Sequence, residues 1–291
     1  MTQTRSARAP AKINLGLRIV GRRADGYHEL ESLFVPLDLS DDLKLRISPA
    51  SAPKVTLRNA GGAFEAPETG NLAARAAEAF LAEARLEIRV EIELAKHVPL
   101  AAGLGGGSSD AGAVLRALSG YAPDALSPAR LAAIALSLGA DVPFFLDPRP
   151  AWVRGIGERI EACAPVPSLA VGLVNPGVAL PTAEVFRAFD ALGPGAPPPP
   201  APELDSAFTS PQRLRALLHN DLEAAALRLR PELRRLRERL EGLGPAAVGM
   251  SGSGPTLFGV FESPEIASAA LARGGFEPPV WVWVARTGEA G

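Results

Sequence analysis

Val98-Pro99-Leu100-Ala101-Ala102-Gly103-Leu104-Gly105-Gly106-Gly107-Ser108-Ser109-Asp110 is the stretch on which the reading of this chain turns. An alternating apolar run, Leu86 to Leu94, leads into it through Lys96 and His97, and a helix-forming run, Ala111 to Leu118, leads out. Between strand and helix lie four glycines, two hydroxyls and a carboxylate. Glycine takes positive φ readily and, having no Cβ, lets a ligand come close to the main chain. The first turn of the helix that follows leaves backbone N–H groups unpaired, and its dipole favours negative charge. Together these features predict a cradle for phosphate. Two other glycine-rich signatures do not fit the spacing. No lysine follows Gly107, as a Walker loop requires. Ser108 stands where the dinucleotide fingerprint has its third glycine.

The whole chain bounds what that cradle can serve. Its 291 residues make one large domain or two ordinary ones, enough to bury roughly 75% of the unfolded surface. A hydrophobic share of 47% with 21% charged residues is globular, and with only 5% aromatic residues alanine, leucine and valine must fill most of the core. Thirty basic against thirty-two acidic residues give a net charge of −2, which excludes the basic footprint of a nucleic-acid binder. The single Cys163 excludes a disulfide framework and a cysteine metal cluster, and it suits a reducing compartment. Met1 to Arg8 has basic residues without an apolar segment behind them, and no run approaches a membrane span. The expectation is a cytoplasmic protein with no membrane or nucleic-acid partner. Among the basic residues, Lys12, Lys44, Lys54 and Lys96 interrupt an otherwise all-arginine complement. A lysine kept beside an apolar strand is therefore a candidate for a specific role, since arginine does not replace it freely.

In chain order, residues 9–20 alternate Ile13, Leu15, Leu17 and Ile19 with Lys12, Asn14, Gly16 and Arg18. That pattern predicts a half-buried strand with Lys12 and Asn14 projecting the same way. Asp25-Gly26 makes a turn before Tyr27-His28, and Leu33 to Leu39 follows as a strand broken by Pro36. Short strands are expected at Leu43 to Ile47 and Val55 to Leu57. Asn71 caps a helix over Leu72 to Ala84, and Ser127-Pro128 starts another that Gly139 ends. Asp147-Pro148-Arg149-Pro150 reads as a boundary, giving domains 1–150 and 151–291. Beyond it come a turn at Gly155-Ile156-Gly157-Glu158, a buried strand Leu169 to Val174, and a short helix that Thr182 could cap. A proline-rich linker at 193–202 precedes two helices joined at Pro231 over about 212–242. Gly249 to Pro255 is a second glycine-rich loop, followed by the strand Thr256 to Phe261, a helix near 264–273 and the strand Val280 to Val284.

Three places off the first loop carry reactive or recognition groups. Asp141, after a helix-ending glycine and before Val142-Pro143-Phe144-Phe145, is either a turn acid or a buried base kept ionised by a cation, for which Lys12 is available. Tyr27 and His28 are either a lid on the core with a surface histidine, or a ring and an imidazole that stack on and hydrogen-bond a planar base. His97 and His219 stand isolated and read as structural.

Four separated segments resemble the galactokinase, homoserine kinase, mevalonate kinase and phosphomevalonate kinase superfamily. They are Ala9 to Leu15 with Asp25 to Leu30, Pro99 to Asp110, Leu138 to Phe144, and Met250 to Thr256. Gly155-x-Gly157-Glu158 and Asn220-Asp221-Leu222-Glu223 add to the likeness, which runs in order along nearly the whole chain. The Asp-Gly-Tyr-His segment behind Lys12 and Asn14 is similar to the branch that phosphorylates a cytidine diphosphate conjugate of methylerythritol on the non-mevalonate isoprenoid route. The resemblance implies a two-domain α/β (α+β) small-molecule kinase fold with the active site in the inter-domain cleft. It implies ATP with magnesium, for which no ligand is assigned. Lys12 and Asp141 match the catalytic pair. Pro99, Leu100, Ala101, Ala102, Gly103, Leu104, Gly105, Gly106, Gly107, Ser108 and Ser109 match the triphosphate loop, and Asn71 a residue near adenine. Asn14, Tyr27, His28, Thr182 and Phe186 match the cytidine side, with Tyr27 and Phe186 sandwiching the base, and Gly252 to Thr256 closing over the phosphates.

Two rivals make different demands. A kinase of the same superfamily acting on mevalonate or homoserine has no base to stack and leaves Tyr27-His28 without a role. A non-catalytic nucleotide-binding module predicts ATP binding without consumption, and keeping both Lys12 and Asp141 argues against it.

Overall fold

The computed structural model describes residues 1–193 and 202–288, so most of the proline-rich linker lies outside the described residues. The strands are β1 (Gln3–Arg22), β2 (His28–Pro49), β3 (Lys54–Gly62), β4 (Ile88–Lys96), β5 (Ala151–Gly155), β6 (Arg159–Ala162), β7 (Ala170–Asn175), β8 (Ala247–Met250), β9 (Leu257–Phe261) and β10 (Trp281–Arg286). The helices are α1 (Leu72–Ala84), α2 (Gly106–Tyr121), α3 (Pro128–Leu138), α4 (Thr182–Leu192), α5 (Leu204–Ala207), α6 (Pro211–Leu217), α7 (Glu223–Leu229), α8 (Glu232–Glu241) and α9 (Pro264–Arg273). Among the described residues no helix is long and apolar enough to cross a membrane. The chain divides into two compact units of mixed α/β build, each gathered from three stretches.

The first unit comprises Met1–Ala11, Leu39–Leu100 and Gly105–Pro148. In it β4 pairs parallel with β3, Lys54 opposite Arg89, and antiparallel with the end of β2, Asp42 opposite Ala95. Period two places Ile88, Val90, Ile92 and Leu94 on one buried face of β4. That face packs on Ala76 and Phe80 of α1 and on Val114 and Leu118 of α2 in one core. Helix α1 spans the predicted residues because Asn71 Oδ1 accepts the Ala73 N–H at 2.9 Å, and Arg85 closes it in a left-handed conformation. Ser127 caps α3 in the same way.

The second unit comprises Lys12–Asp38, Ala101–Leu104 and Arg149–Gly291. Its four-stranded antiparallel sheet has the order β10-β7-β9-β8, and β7 is buried along its whole length. Helices α4, α7, α8 and α9 cover it through Val185, Ala226, Leu233 and Ala270. The start of β2 pairs with β5, Leu30 opposite Gly155, and β5 turns back into β6 at the predicted glycine turn.

Four expectations need correction. β1 is not half-buried: Ala9 to Arg18 are buried on both faces, so Lys12 and Asn14 are interior groups. β2 runs through Pro36, which lies between the residues paired with β5 and those paired with β4, so its missing N–H removes no bond from either ladder. The 212–242 region holds three helices, because Asn220 spends its side chain on Leu222 N–H at 2.9 Å and on Met250 O and Gly252 O, ending α6 before α7 can begin. Thr182 does not cap α4. Pro181 holds that position, and the threonine hydroxyl meets Ser253 Oγ at 2.9 Å instead.

Candidate active site

Lys12 is 3% exposed, within the second unit. Its ammonium donates to Asn14 Oδ1 at 2.6 Å and to the Gly103 carbonyl at 3.2 Å, and it lies 4.6 Å from the centre of the Phe34 ring. Asn14 is held by donating to Ser32 Oγ at 2.8 Å, and Ser32 in turn donates to Gly16 O at 2.6 Å. Each link orients the next, so the ammonium sits at the end of a locked polar chain. Strand β1 meets the first glycine loop directly, Lys12 N–H to Leu104 O at 2.9 Å. The second glycine loop meets it as well: Ser251 Oγ donates to Gly103 O at 2.8 Å, and Asn220 holds the Met250 and Gly252 carbonyls at 2.9 and 2.8 Å. At Gly103, φ is +75°, and a Cβ would lie 2.3 Å from Ser251 O. Only glycine allows the two loops to come together there.

The other part of the glycine loop belongs to the first unit. Gly105, at φ +72°, is the N-cap of α2 and supplies no side-chain cap. The first helical bond is Ser109 N–H to Gly105 O at 2.8 Å, so the N–H groups of Gly106, Gly107 and Ser108 have no partner within the helix. Three N–H groups at the positive end of a helix of sixteen residues can hold an anion. Under this turn lies a cluster the sequence reading did not assign. Lys96 is 1% exposed and donates to Asp110 Oδ2 at 2.9 Å and to Asp41. Asp41 Oδ1 also accepts the His97 and Val98 N–H groups at 2.6 and 2.9 Å. Burial alone would lower the Lys96 pKa, but Asp110 and Asp41 outweigh it and hold it above the ordinary lysine range. Burial also pushes Asp110 up to about 7, with Asp41 adding to the shift and Lys96 opposing it. One signal for this cluster was in the sequence: Lys96 continues the buried period of β4.

The remaining predicted residues fall as follows. Pro99, Leu100, Asn71 and Asp141 belong to the first unit, and Ala101 and Ala102 to the second. Asn71 caps α1 while its Nδ2 donates to Pro67 O at 3.0 Å. Asp141 is half-buried in the turn between α3 and the 3-10 helix Pro143–Leu146. In the second unit, His28, at the head of β2, stacks on Phe186 with centroids 5.0 Å apart and planes at 23°. Tyr27 is 62% exposed in the preceding turn. Among the described residues no group of three or more His, Cys, Asp and Glu gathers to hold a metal. The structure thus brings together Lys12, Asn14, Gly103 and Gly252 in one neighbourhood, His28 with Phe186 in another, and Thr182 with Ser253 in a third.

Comparison with known proteins identifies the family. Residues 71–147 match the GHMP kinases N terminal domain, and residues 204–276 the GHMP kinases C terminal family. A 4-diphosphocytidyl-2-C-methyl-D-erythritol kinase of Anaeromyxobacter dehalogenans (strain 2CP-C) is 46% identical over 91% of this chain and 83% of its own length. The enzyme of that name from Sinorhizobium medicae (strain WSM419) is 41% identical over 97% of this chain and 94% of its own. A crystal structure of a 4-(cytidine 5'-diphospho)-2C-methyl-D-erythritol kinase superposes with a TM-score of 0.78 at 40% identity, covering 98% of this chain and 100% of that one. With a helix start at α2 that carries unpaired N–H groups, a buried ammonium between two glycine loops, and relatives matched over 83% to 100% of their own length, the chain belongs to the 4-diphosphocytidyl-2-C-methyl-D-erythritol kinase family of the GHMP kinases.

Proposed function

We propose that this protein transfers the γ-phosphoryl group of ATP to a hydroxyl of 4-diphosphocytidyl-2-C-methyl-D-erythritol, giving the 2-phosphate and ADP on the non-mevalonate isoprenoid route. The observation that carries the proposal is the buried Lys12 ammonium held at Asn14 Oδ1 and Gly103 O beside both glycine loops. Phosphoryl transfer asks a protein chiefly for position and for charge opposite the developing negative oxygens. The α2 N–H groups at Gly106 to Ser108 take the nucleotide phosphates, and Lys12 steadies the alkoxide that forms as the substrate hydroxyl loses its proton. Asp141 takes that proton. The hydroxyl oxygen bonds to the γ-phosphorus as the bond to the bridging oxygen breaks, and ADP leaves. Magnesium, for which the described residues gather no ligand group of their own, would offset the negative charge of the nucleotide phosphates. Tyr27, His28 and Phe186 take the cytosine, Asn14 and Thr182 line the diphosphate side, and Asn71 borders the adenine.

The test is to incubate the protein with magnesium ATP and a panel of hydroxyl acceptors, and to find by mass which one gains a phosphate. The cytidine diphosphate conjugate is expected to gain it, while mevalonate and homoserine do not. Asp141→Asn is expected to lose roughly 10²–10⁴-fold in turnover. Phosphate on mevalonate or homoserine in preference, or near-normal turnover in the variant, would overturn the substrate or the base respectively.

A further inference from the structure

Nothing in the residues around His28 in sequence fixes how its ring is turned or which nitrogen carries the proton. The structure removes that freedom. His28 Nε2 lies 2.7 Å from Asp190 Oδ1, and the imidazole side chain is 9% exposed. On α4, Phe186, Phe189 and Asp190 are spaced by three and four residues, which puts all three on one helix face. That face closes around the imidazole. Phe186 stacks on its plane at 5.0 Å, and Phe189 meets its edge at 5.9 Å and 82°. The other carboxylate oxygen, Asp190 Oδ2, faces the Arg22 guanidinium at 3.5 Å.

A carboxylate only accepts hydrogen bonds, so the nitrogen facing it must carry the hydrogen. In a neutral imidazole with hydrogen on Nε2, Nδ1 is an acceptor. We propose that Asp190 is a positioning residue that locks His28 as the Nε2–H tautomer, leaving Nδ1 to accept from an exocyclic amine and so to select a cytosine over a uracil. A 4-amino group donates to that nitrogen. A 4-oxo group would oppose one lone pair with another, and a site that leaves a polar group unpaired discriminates strongly. This inference rests on the assignment of His28 to the cytosine side.

The experiment has two arms on the full-length protein. In the first, long-range ¹H–¹⁵N correlation spectra of histidine-labelled protein read the ring tautomers without any substrate, with His28 assigned among the three histidines by a His28→Gln sample. Wild type is expected to show a pyrrole-like Nε2 and a pyridine-like Nδ1 at His28 at neutral pH, and Asp190→Ala a mixture of tautomers. In the second, KM for the cytidine conjugate is expected to rise roughly tenfold in Asp190→Ala, the loss of about one hydrogen bond. KM for ATP should stay within twofold, and the preference over the matching uridine conjugate should fall by a similar factor. Asp190→Asn, whose amide oxygen still accepts, should recover most of both readouts. A wild-type His28 protonated on Nδ1 or on both nitrogens would overturn the inference, as would an Asp190→Ala variant with unchanged tautomer and KM. If wild type fails to turn over the cytidine conjugate at all, the assignment of the substrate is what has failed, and the specificity role falls with it.

Discussion

Gly252 decides how near the second glycine loop can come to Lys12. Its φ is +58°, and a Cβ there would lie 3.3 Å from Asn14 Oδ1 and Gly103 O and 3.4 Å from Lys12 Nζ. Two separate costs then meet in Gly252→Ala. The left-handed backbone is worth roughly 1–2 kcal/mol against any L side chain, and the methyl crowds the atoms that aim the ammonium. We expect a stability loss of about 1–2 kcal/mol by denaturant unfolding; on the role proposed for Lys12, turnover falls at least tenfold, since small misplacements of a reacting group are costly. A variant that unfolds and turns over like wild type would show that the loop yields freely. At this scale the sequence was legible where a residue type is itself the signal. Lys12 was one of four lysines that stood out in an arginine-dominated chain, and the Gly249 to Pro255 cluster was readable as a second glycine-rich loop. Asp190 gave no such signal, because its meaning depends on His28, 162 positions away.

Among the elements, β4 and α2 are joined by the Asp41–Lys96–Asp110 cluster, which grips the glycine loop at its entry and its exit. Asp41 holds the N–H groups of His97 and Val98, and Lys96 reaches Asp110 in the first turns of α2. The Asp110 pKa of about 7 lies above the 3.8 of a free aspartate, so between those values the folded chain keeps a proton that the unfolded chain has lost. The stability this contributes is complete below the lower value and drains away as pH rises through the upper one. The advantage of wild type over Asp110→Asn should therefore shrink between pH 5 and pH 8, by on the order of 1–3 kcal/mol. Unfolding free energies of both proteins at the two pH values measure it, and a difference that stays flat or grows would refute the assignment. Element ends were readable where a local rule decides them, as at Asn71 and Ser127, which cap α1 and α3. They were unreadable where a distant partner decides them. Asn220 breaks a helical run to hold Met250 and Gly252, and Pro36 passes unnoticed through β2.

For the molecule as a whole, the salient fact is that the polypeptide passes between its two units five times, at 11/12, 38/39, 100/101, 104/105 and 148/149. Strands β1 and β2 each begin in one unit and end in the other. Residues 151–291 alone therefore lack Leu30 to Phe34, the partner of β5, and Leu17, whose N–H bonds His219 O at 2.8 Å and whose side chain enters the core. Expressed by itself, that fragment is expected to give a circular dichroism spectrum of an unfolded chain, and a cooperative thermal transition from it would contradict the prediction. The mixed α/β class was legible because periodicity and capping are local properties. The interleaving was not, since alternation in β1 marks a strand without saying where along it the neighbours change. One consequence concerns heredity. A genetic exchange between two related enzymes that breaks near codon 150 would give the descendant a late half from one parent and the Lys12–Asp38 segment it packs with from the other. To inherit each unit whole from one parent, the descendant would need a break at every one of the five passages, at 11/12, 38/39, 100/101, 104/105 and 148/149.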